Sequence, residues 1–225
     1  MKKLSILAIV PARMGSVRLP KKNISIIAGK PLLAWSIEAA RKSGVIEKII
    51  VSTENPSIAK SAERFGAQAP FLRPKPLATS SAKSVDVVLH ALKFLETKKG
   101  YRPSHVMLLQ PTSPLRTAED IRAAVKTLKA KKCGAVVSVC AAAPNVAWTR
   151  SVDKKGFLQP STGSAHFVLN GAIYLFERKT FLRNKTFYAK KTAAYIMPPE
   201  RSVDIDHRWQ MVLAEALLKN RKVLE

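Results

Sequence analysis

Leu4-Ser5-Ile6-Leu7-Ala8-Ile9-Val10 runs without a break into Pro11-Ala12-Arg13-Met14-Gly15-Ser16-Val17-Arg18-Leu19-Pro20-Lys21-Lys22-Asn23. A short apolar run of this length reads as a strand buried on both faces. It leads into a loop with a Gly, a Ser, two Arg and two Lys. So much cationic charge directly behind a buried strand is unfavourable unless an anion neutralises it. The loop has the parts to hold a triphosphate. Gly15 lets the backbone approach, Ser16 and backbone N–H groups donate hydrogen bonds, and Arg13, Arg18 and Lys22 neutralise charge. Lys21 is expected to point away, as its neighbour does not, in an extended segment. The loop lacks the G-x-x-x-x-G-K-[ST] spacing and so is not a P-loop. The competing reading is a merely basic surface loop.

Outward from that strand, apolar runs alternate with segments of helical period. Leu4 to Val10, Lys48 to Thr53, His105 to Gln110, Gly134 to Cys140, Gly171 to Phe176 and Ala193 to Met197 read as strands. Val85, Val88, Leu89, Leu92 and Leu95 mark one apolar helix face, and Pro31 to Ser43, Ser57 to Phe65, Ala118 to Lys131 and His207 to Lys219 have similar periodicity. Thr117 with Asp120 three residues on is an N-cap arrangement. This alternation predicts an α/β protein of three α/β/α layers, with a mainly parallel, doubly wound sheet that binds its ligand at the carboxyl ends of the strands. The reading is one domain over residues 1–225, with a small excursion at about 141–169 that could be a lid or a dimer contact.

Composition narrows the class of function. The 225 residues hold 39 Lys+Arg against 15 Asp+Glu, a net charge of +24, while 47 % hydrophobic residues exclude a disordered basic tail. Such charge suits either nucleic acid or a phosphorylated small substrate. The basic residues are spread through the chain without interleaved aromatic stacking platforms, so no nucleic-acid partner is expected. No apolar stretch reaches the roughly 18 residues of a membrane span. Met1-Lys2-Lys3 ahead of the first strand imitates a secretory leader, but Arg13 and Arg18 follow too soon. Cys133 and Cys140 suggest neither a disulfide framework nor a zinc site, and a cytoplasmic location is expected.

Three further places could carry chemistry. Asp204 and Asp206 stand two apart, so on an extended segment both carboxylates face one side and repel unless a hard cation lies between them. The alternative is a pair that caps the helix beginning near His207. Gln110 closes a very apolar strand ahead of Pro111-Thr112-Ser113-Pro114, where an amide can bond a polyhydroxylated ligand or simply end a turn. Asn170-Gly171 is either part of a site or a hairpin turn.

Taken together, these residues resemble the acylneuraminate cytidylyltransferases, which activate sialic acids and related nonulosonic sugars. The first loop matches their P-A-R-x-G-S…P-x-K-N signature. Val51-Ser52-Thr53, Leu72-Arg73-Pro74 with Leu77-Ala78, Leu108 to Arg116, Asn170 to Tyr174 and Ser202 to Asp206 follow in the family's order. The resemblance implies a Rossmann-like nucleotidyltransferase fold and transfer of CMP from CTP to a nonulosonic acid, with release of pyrophosphate. The alternatives are a cytidylyltransferase for 3-deoxy-manno-octulosonate or another sugar, and a basic nucleic-acid-binding protein on this scaffold. It further implies that Arg13, Ser16, Lys22, Asn23, Arg73 and Ser84 bind the nucleotide, to which the reading of the loop adds Gly15 and Arg18, and that Gln110 and Asn170 hold the sugar acid. Asp204 and Asp206 would bind Mg2+, with Arg13, Lys22 and Asp206 as the catalytic set, and the protein would be a homodimer.

The chain also departs from that family. Val17 replaces a lysine, with Arg18 as the substitute cation; S-T-D reads Ser52-Thr53-Glu54; and the segment between Cys140 and Asn170 is short, with no arginine in Gln159 to Phe167 where arginines are usual just ahead of Asn170, and with a lone His166 that reads as a surface residue rather than a catalytic base.

Overall fold

The computed structural model describes residues 4–16, 18–141, 150–152, 158–160 and 167–220. Val17, His166 and most of the 141–169 excursion lie outside the described residues. A six-stranded sheet forms the centre, in the order β10 (Thr192–Ile196), β6 (Ala135–Ala141), β9 (Phe167–Glu177), β5 (His105–Leu108), β1 (Ile6–Pro11), β4 (Lys48–Ser52). β1 pairs in parallel with β4 and β5, and β10 with β6, whereas β9 runs antiparallel to both β5 and β6. Mainly parallel is therefore right, and the reversed β9 is the exception that periodicity could not reveal.

Alternation along β1 divides the core in two. Ile6, Ala8 and Val10 pack with Leu33 and Ile37 of α1 (Leu32–Ser43), Ile58 of α2 (Pro56–Arg64) and Ile121 of α4 (Ala118–Lys131). Leu7 and Ile9 point the other way, onto Val88, Leu92 and Leu95 of α3 (Ser84–Lys99) and Phe181 of α5 (Arg178–Asn184). All five β1 residues from Ile6 to Val10 are at most 1 % exposed, as a strand covered on both faces requires. A third cluster seats α6 (Arg208–Lys219) beneath the small hairpin β2 (Ile26–Ile27) and β3 (Lys30–Pro31), through Ile27, Leu32, Ile205, Ala214 and Leu218. β7 (Arg150–Val152) and β8 (Leu158–Pro160), in the predicted excursion, pair with each other and, among the described residues, with no other strand.

Because β9 is reversed, its early residues lie at the same edge as the carboxyl ends of β1, β4, β5 and β6. Chain order also switches at β1, which has β4 on one side and β5 on the other. That edge, at the switch, is where an open α/β sheet leaves a crevice.

Candidate active site

The loop after β1 is pinned from both sides. Asn23 is buried and its Nδ2 donates to the Arg13 carbonyl at 2.8 Å, while the Met14 N–H donates to Glu54 Oε1 at 2.7 Å. Lys21 takes a left-handed conformation with φ +56° and is exposed, so it faces away through this turn rather than through extended alternation. The turn swings Lys22 inward, where its Nζ donates to the Ile205 carbonyl at 2.6 Å and to Asp206 Oδ1 at 3.2 Å. Arg18 reaches Asp206 Oδ2 at 2.6 Å from a largely exposed position.

Arg73 forms the opposite wall, its guanidinium 3.1 Å from Glu54 Oε2 and its side chain only 4 % exposed. Burial pulls its pKa below the usual guanidinium value; Glu54 opposes that and nearby Arg13 adds to it. Beyond Arg73 the wall continues through Leu77, Thr79, Ser80 and Ser84, the first residue of α3.

On the other side of the site the structure changes what Asn170 does. The ladder between β6 and β9 slips between Val137 and Val139, leaving Ser138 opposite Asn170 to Ile173. Asn170 is 4 % exposed, and its amide is taken up by Ser138 Oγ, Ser202 Oγ and the Ala172 N–H, at 2.6, 2.9 and 3.2 Å. Asn170-Gly171 is thus an irregularity inside one long strand and not a hairpin turn, and Asn170 does not line the cavity. Gly171, at φ +72°, brings backbone close beneath Gln110: an added Cβ would lie 3.2 Å from Gln110 Oε1 and 3.6 Å from Asp204 Oδ2. Arg116, fully buried, ties this bulge to the Gln110 turn by donating to the Ala172 and Gln110 carbonyls at 2.7 and 3.3 Å and to Ser36 Oγ. Its pKa falls to about 10 through burial, with Asp120 opposing the drop.

Asp204 and Asp206 arrive on the segment between β10 and α6. That segment is held by the Ile205 N–H on the Thr112 carbonyl at 2.8 Å. Neither carboxylate caps α6: Gln210 Oε1 accepts from the Asp206 and His207 N–H groups, and the Asp206 carboxylate faces Arg18 and Lys22. The two acids differ. Burial and the charge of Asp206 raise the Asp204 pKa, although a hydrogen bond from Thr112 and the charge of Lys22 oppose this. Lys22 and Arg18 hold Asp206 below the usual carboxylate range, against a desolvation that alone would raise it. Repulsion between the pair is therefore relieved at Asp206 by two cations and remains at Asp204. Charged Asp204 costs stability above its raised pKa, and the cost disappears as pH falls through that value. Asp204→Asn is expected to raise the metal-free melting temperature at neutral pH by about 1–3 °C in a thermal scan. A drop would show that the charged acid stabilises the fold.

These pieces enclose a cavity of about 340 Å3 lined by Arg13, Ser16, Lys22, Asn23, Arg73, Ser84, Gln110, Asp204 and Asp206, with Thr112 and the Leu77–Val87 wall. A contiguous space of about 480 Å3 shares Arg13, Ser16, Lys22 and Asp206 and adds Arg18. Of the residues expected from sequence, Gly15 and Asn170 line neither space. A buried Asp204 Oδ1 has no hydrogen-bond partner, and a second carboxylate stands beside it. That suits a hard cation completed by substrate phosphates, since no cluster of three or more His, Cys, Asp or Glu occurs among the described residues.

Sequence reasoning read Asp120 too narrowly. Asp120 was expected to act as a helix cap, and it does accept from the Thr117 N–H and Oγ1 at 2.8 and 2.9 Å. It also accepts from the Tyr195 hydroxyl at 2.8 Å and from Arg201 Nη2 and Nε at 3.0 and 3.2 Å, anchoring the segment that carries Asp204. No local signal could have shown this, because Arg201 is 81 residues away.

A switch-point cavity with cations on two walls and an acidic pair facing them defines an α/β nucleotidyltransferase. Residues 7–221 match the family model described as cytidylyltransferase, and the chain belongs to that family. It is 38 % identical to CMP-N,N'-diacetyllegionaminic acid synthase of Legionella pneumophila, over 96 % of this chain and 97 % of that one. It is 36 % identical to N-acylneuraminate cytidylyltransferase of Escherichia coli over 98 % of its own length, but spans only 54 % of that protein. Among solved structures, CMP:2-keto-3-deoxy-manno-octonic acid synthetase complexed with CTP superposes with a TM-score of 0.71 at 16 % identity, covering 96 % of this chain and 99 % of that one. At that identity the likeness concerns the fold. No helix among the described residues is long and apolar enough to cross a membrane.

Proposed function

We propose that this chain transfers CMP from CTP to a nonulosonic acid, releasing pyrophosphate. The observation that carries this is the cavity itself, in which Arg13, Lys22 and Arg73 converge at the carboxyl edge opposite Gln110 and Asp204. The near-full-length likeness to a CMP-N,N'-diacetyllegionaminic acid synthase supports a nonulosonic acid as acceptor. The anomeric hydroxyl would release its proton to solvent water and attack the α-phosphorus in line as the bond to the β-phosphate breaks, so pyrophosphate departs with the electron pair. Arg13 and Lys22 neutralise charge on the triphosphate and the leaving pyrophosphate, while Ser16 donates a hydrogen bond to it. Arg73 and Ser84 face the nucleoside, and Gln110 orients the acceptor without adding charge. Asp204 and Asp206 would hold Mg2+, which when bound supplies further charge neutralisation at the reacting phosphate. Asn170 keeps the bulge under Gln110 in place instead of touching the sugar. A homodimer finds support in the exposed apolar side chains Phe167, Val168, Leu169 and Ile196.

The test is ligand choice. CTP is expected to raise the melting temperature more than ATP, GTP or UTP at equal concentration, because a ligand bound only by the folded state stabilises it. With CTP and magnesium, a panel of sugar acids is then scored by pyrophosphate release. Equal protection by all four nucleotides would mean that only phosphates are read, and turnover with 3-deoxy-manno-octulosonate alone would change the acceptor.

A further inference from the structure

Glu54 stands just beyond β4, behind the cavity and not among the residues that line it. Its carboxylate nevertheless contacts both cationic walls. Oε1 accepts from the Met14 N–H at 2.7 Å, next to Arg13, and Oε2 accepts from Arg73 Nη2 at 3.1 Å. Its own position is set by backbone on either side: the Thr53 carbonyl accepts from the Arg73 N–H at 2.7 Å, and the Asn55 N–H donates to Thr53 Oγ1 at 3.1 Å. The Glu54 side chain is 19 % exposed and that of Arg73 4 %, so the pair is little screened by water. Arg73 is pushed toward its neutral form by burial and by Arg13, and Glu54 is what supports its charge.

We propose that Glu54 is a positioning residue for CTP: one carboxylate fixes the spacing between the triphosphate loop and Arg73 before the nucleotide arrives. The proposal rests on the reading of that loop and Arg73 as the two walls of the CTP site. It can be separated from a simple charge effect because the two have opposite signs. An anion next to a triphosphate repels it, so on charge alone the loss of Glu54 tightens CTP binding. If Glu54 preorganises the walls, its loss weakens binding, since both cationic elements must then be ordered at the moment of association.

The experiment is calorimetric titration of CTP into the wild type, Glu54→Ala, Glu54→Gln and Arg73→Ala, beside steady-state kinetics. Glu54→Ala is expected to weaken CTP by about tenfold, the worth of one charge-assisted hydrogen bond. KM for CTP should rise in step, with kcat and KM for the sugar acid near their wild-type values. Glu54→Gln keeps an oxygen for Met14 and loses the charge on Arg73, so it falls between, and it serves if Glu54→Ala does not fold. Unchanged or tighter CTP binding in the Glu54 variants, with binding lost in Arg73→Ala, overturns the proposal even if their melting temperatures fall. Wild-type CTP affinity in Arg73→Ala overturns the assignment of the wall, and the proposal with it.

Discussion

Asp206→Asn is expected to lower turnover at ordinary magnesium by about a hundredfold or more, several kcal/mol of charge stabilisation at the reacting phosphate. The amide keeps the shape and loses the charge on which three groups converge: Lys22 at 3.2 Å, Arg18 at 2.6 Å and the proposed Mg2+. A magnesium titration of initial rates should show a higher requirement, with partial recovery at high concentration. Stability should move the other way from Asp204→Asn. Lys22 and Arg18 lower the Asp206 pKa, so its charged form stabilises the fold above the carboxylate range, and that contribution is lost as pH falls through the lowered value. With the side chain 45 % exposed, solvent screens much of this and the metal-free melting temperature should drop only slightly. Opposite shifts in the two Asn variants, both nearly inactive, would distinguish metal ligands from a structural pair. Near-wild-type turnover by Asp206→Asn would remove Asp206 from the chemistry.

The second large effect concerns stability. Asp120→Ala is expected to cost about 3 kcal/mol, because it strips a fully buried carboxylate from Tyr195, Arg201 and Thr117 at once. For a chain of this size that lowers the melting temperature by about 6–12 °C. Thr117→Ala is the control: it removes the cap and leaves the Arg201 contact, and should cost only about 1 kcal/mol. If the two variants melt together, the anchor contributes nothing beyond the cap. Because Arg201 immediately precedes Ser202, which accepts from Asn170 Nδ2 at 2.9 Å, Asp120→Ala should also lower turnover.

Residue pattern alone determined a good deal. The Ile6 to Val10 run, the helical spacing along α3 and the strand–helix alternation predicted a layered α/β sheet, since burial on one or both faces is written into the period of apolar residues. The first loop, Gln110 and the Asp204/Asp206 pair were singled out for a related reason, charge and polarity concentrated at strand ends, and the fold gathers them around one cavity. Tertiary structure decided the rest. β9 runs antiparallel, which brings Gly171 to within a Cβ's reach of Gln110 and Asp204 and turns Asn170 inward to Ser138 and Ser202. Arg18 and Lys22 sit on Asp206, and Glu54 joins Met14 to Arg73. Asp120 meets Arg201 across 81 positions of chain. None of these has a local signature, because a hydrogen bond depends on where the fold brings a donor and an acceptor atom within about 3 Å of each other, and periodicity carries no information about that.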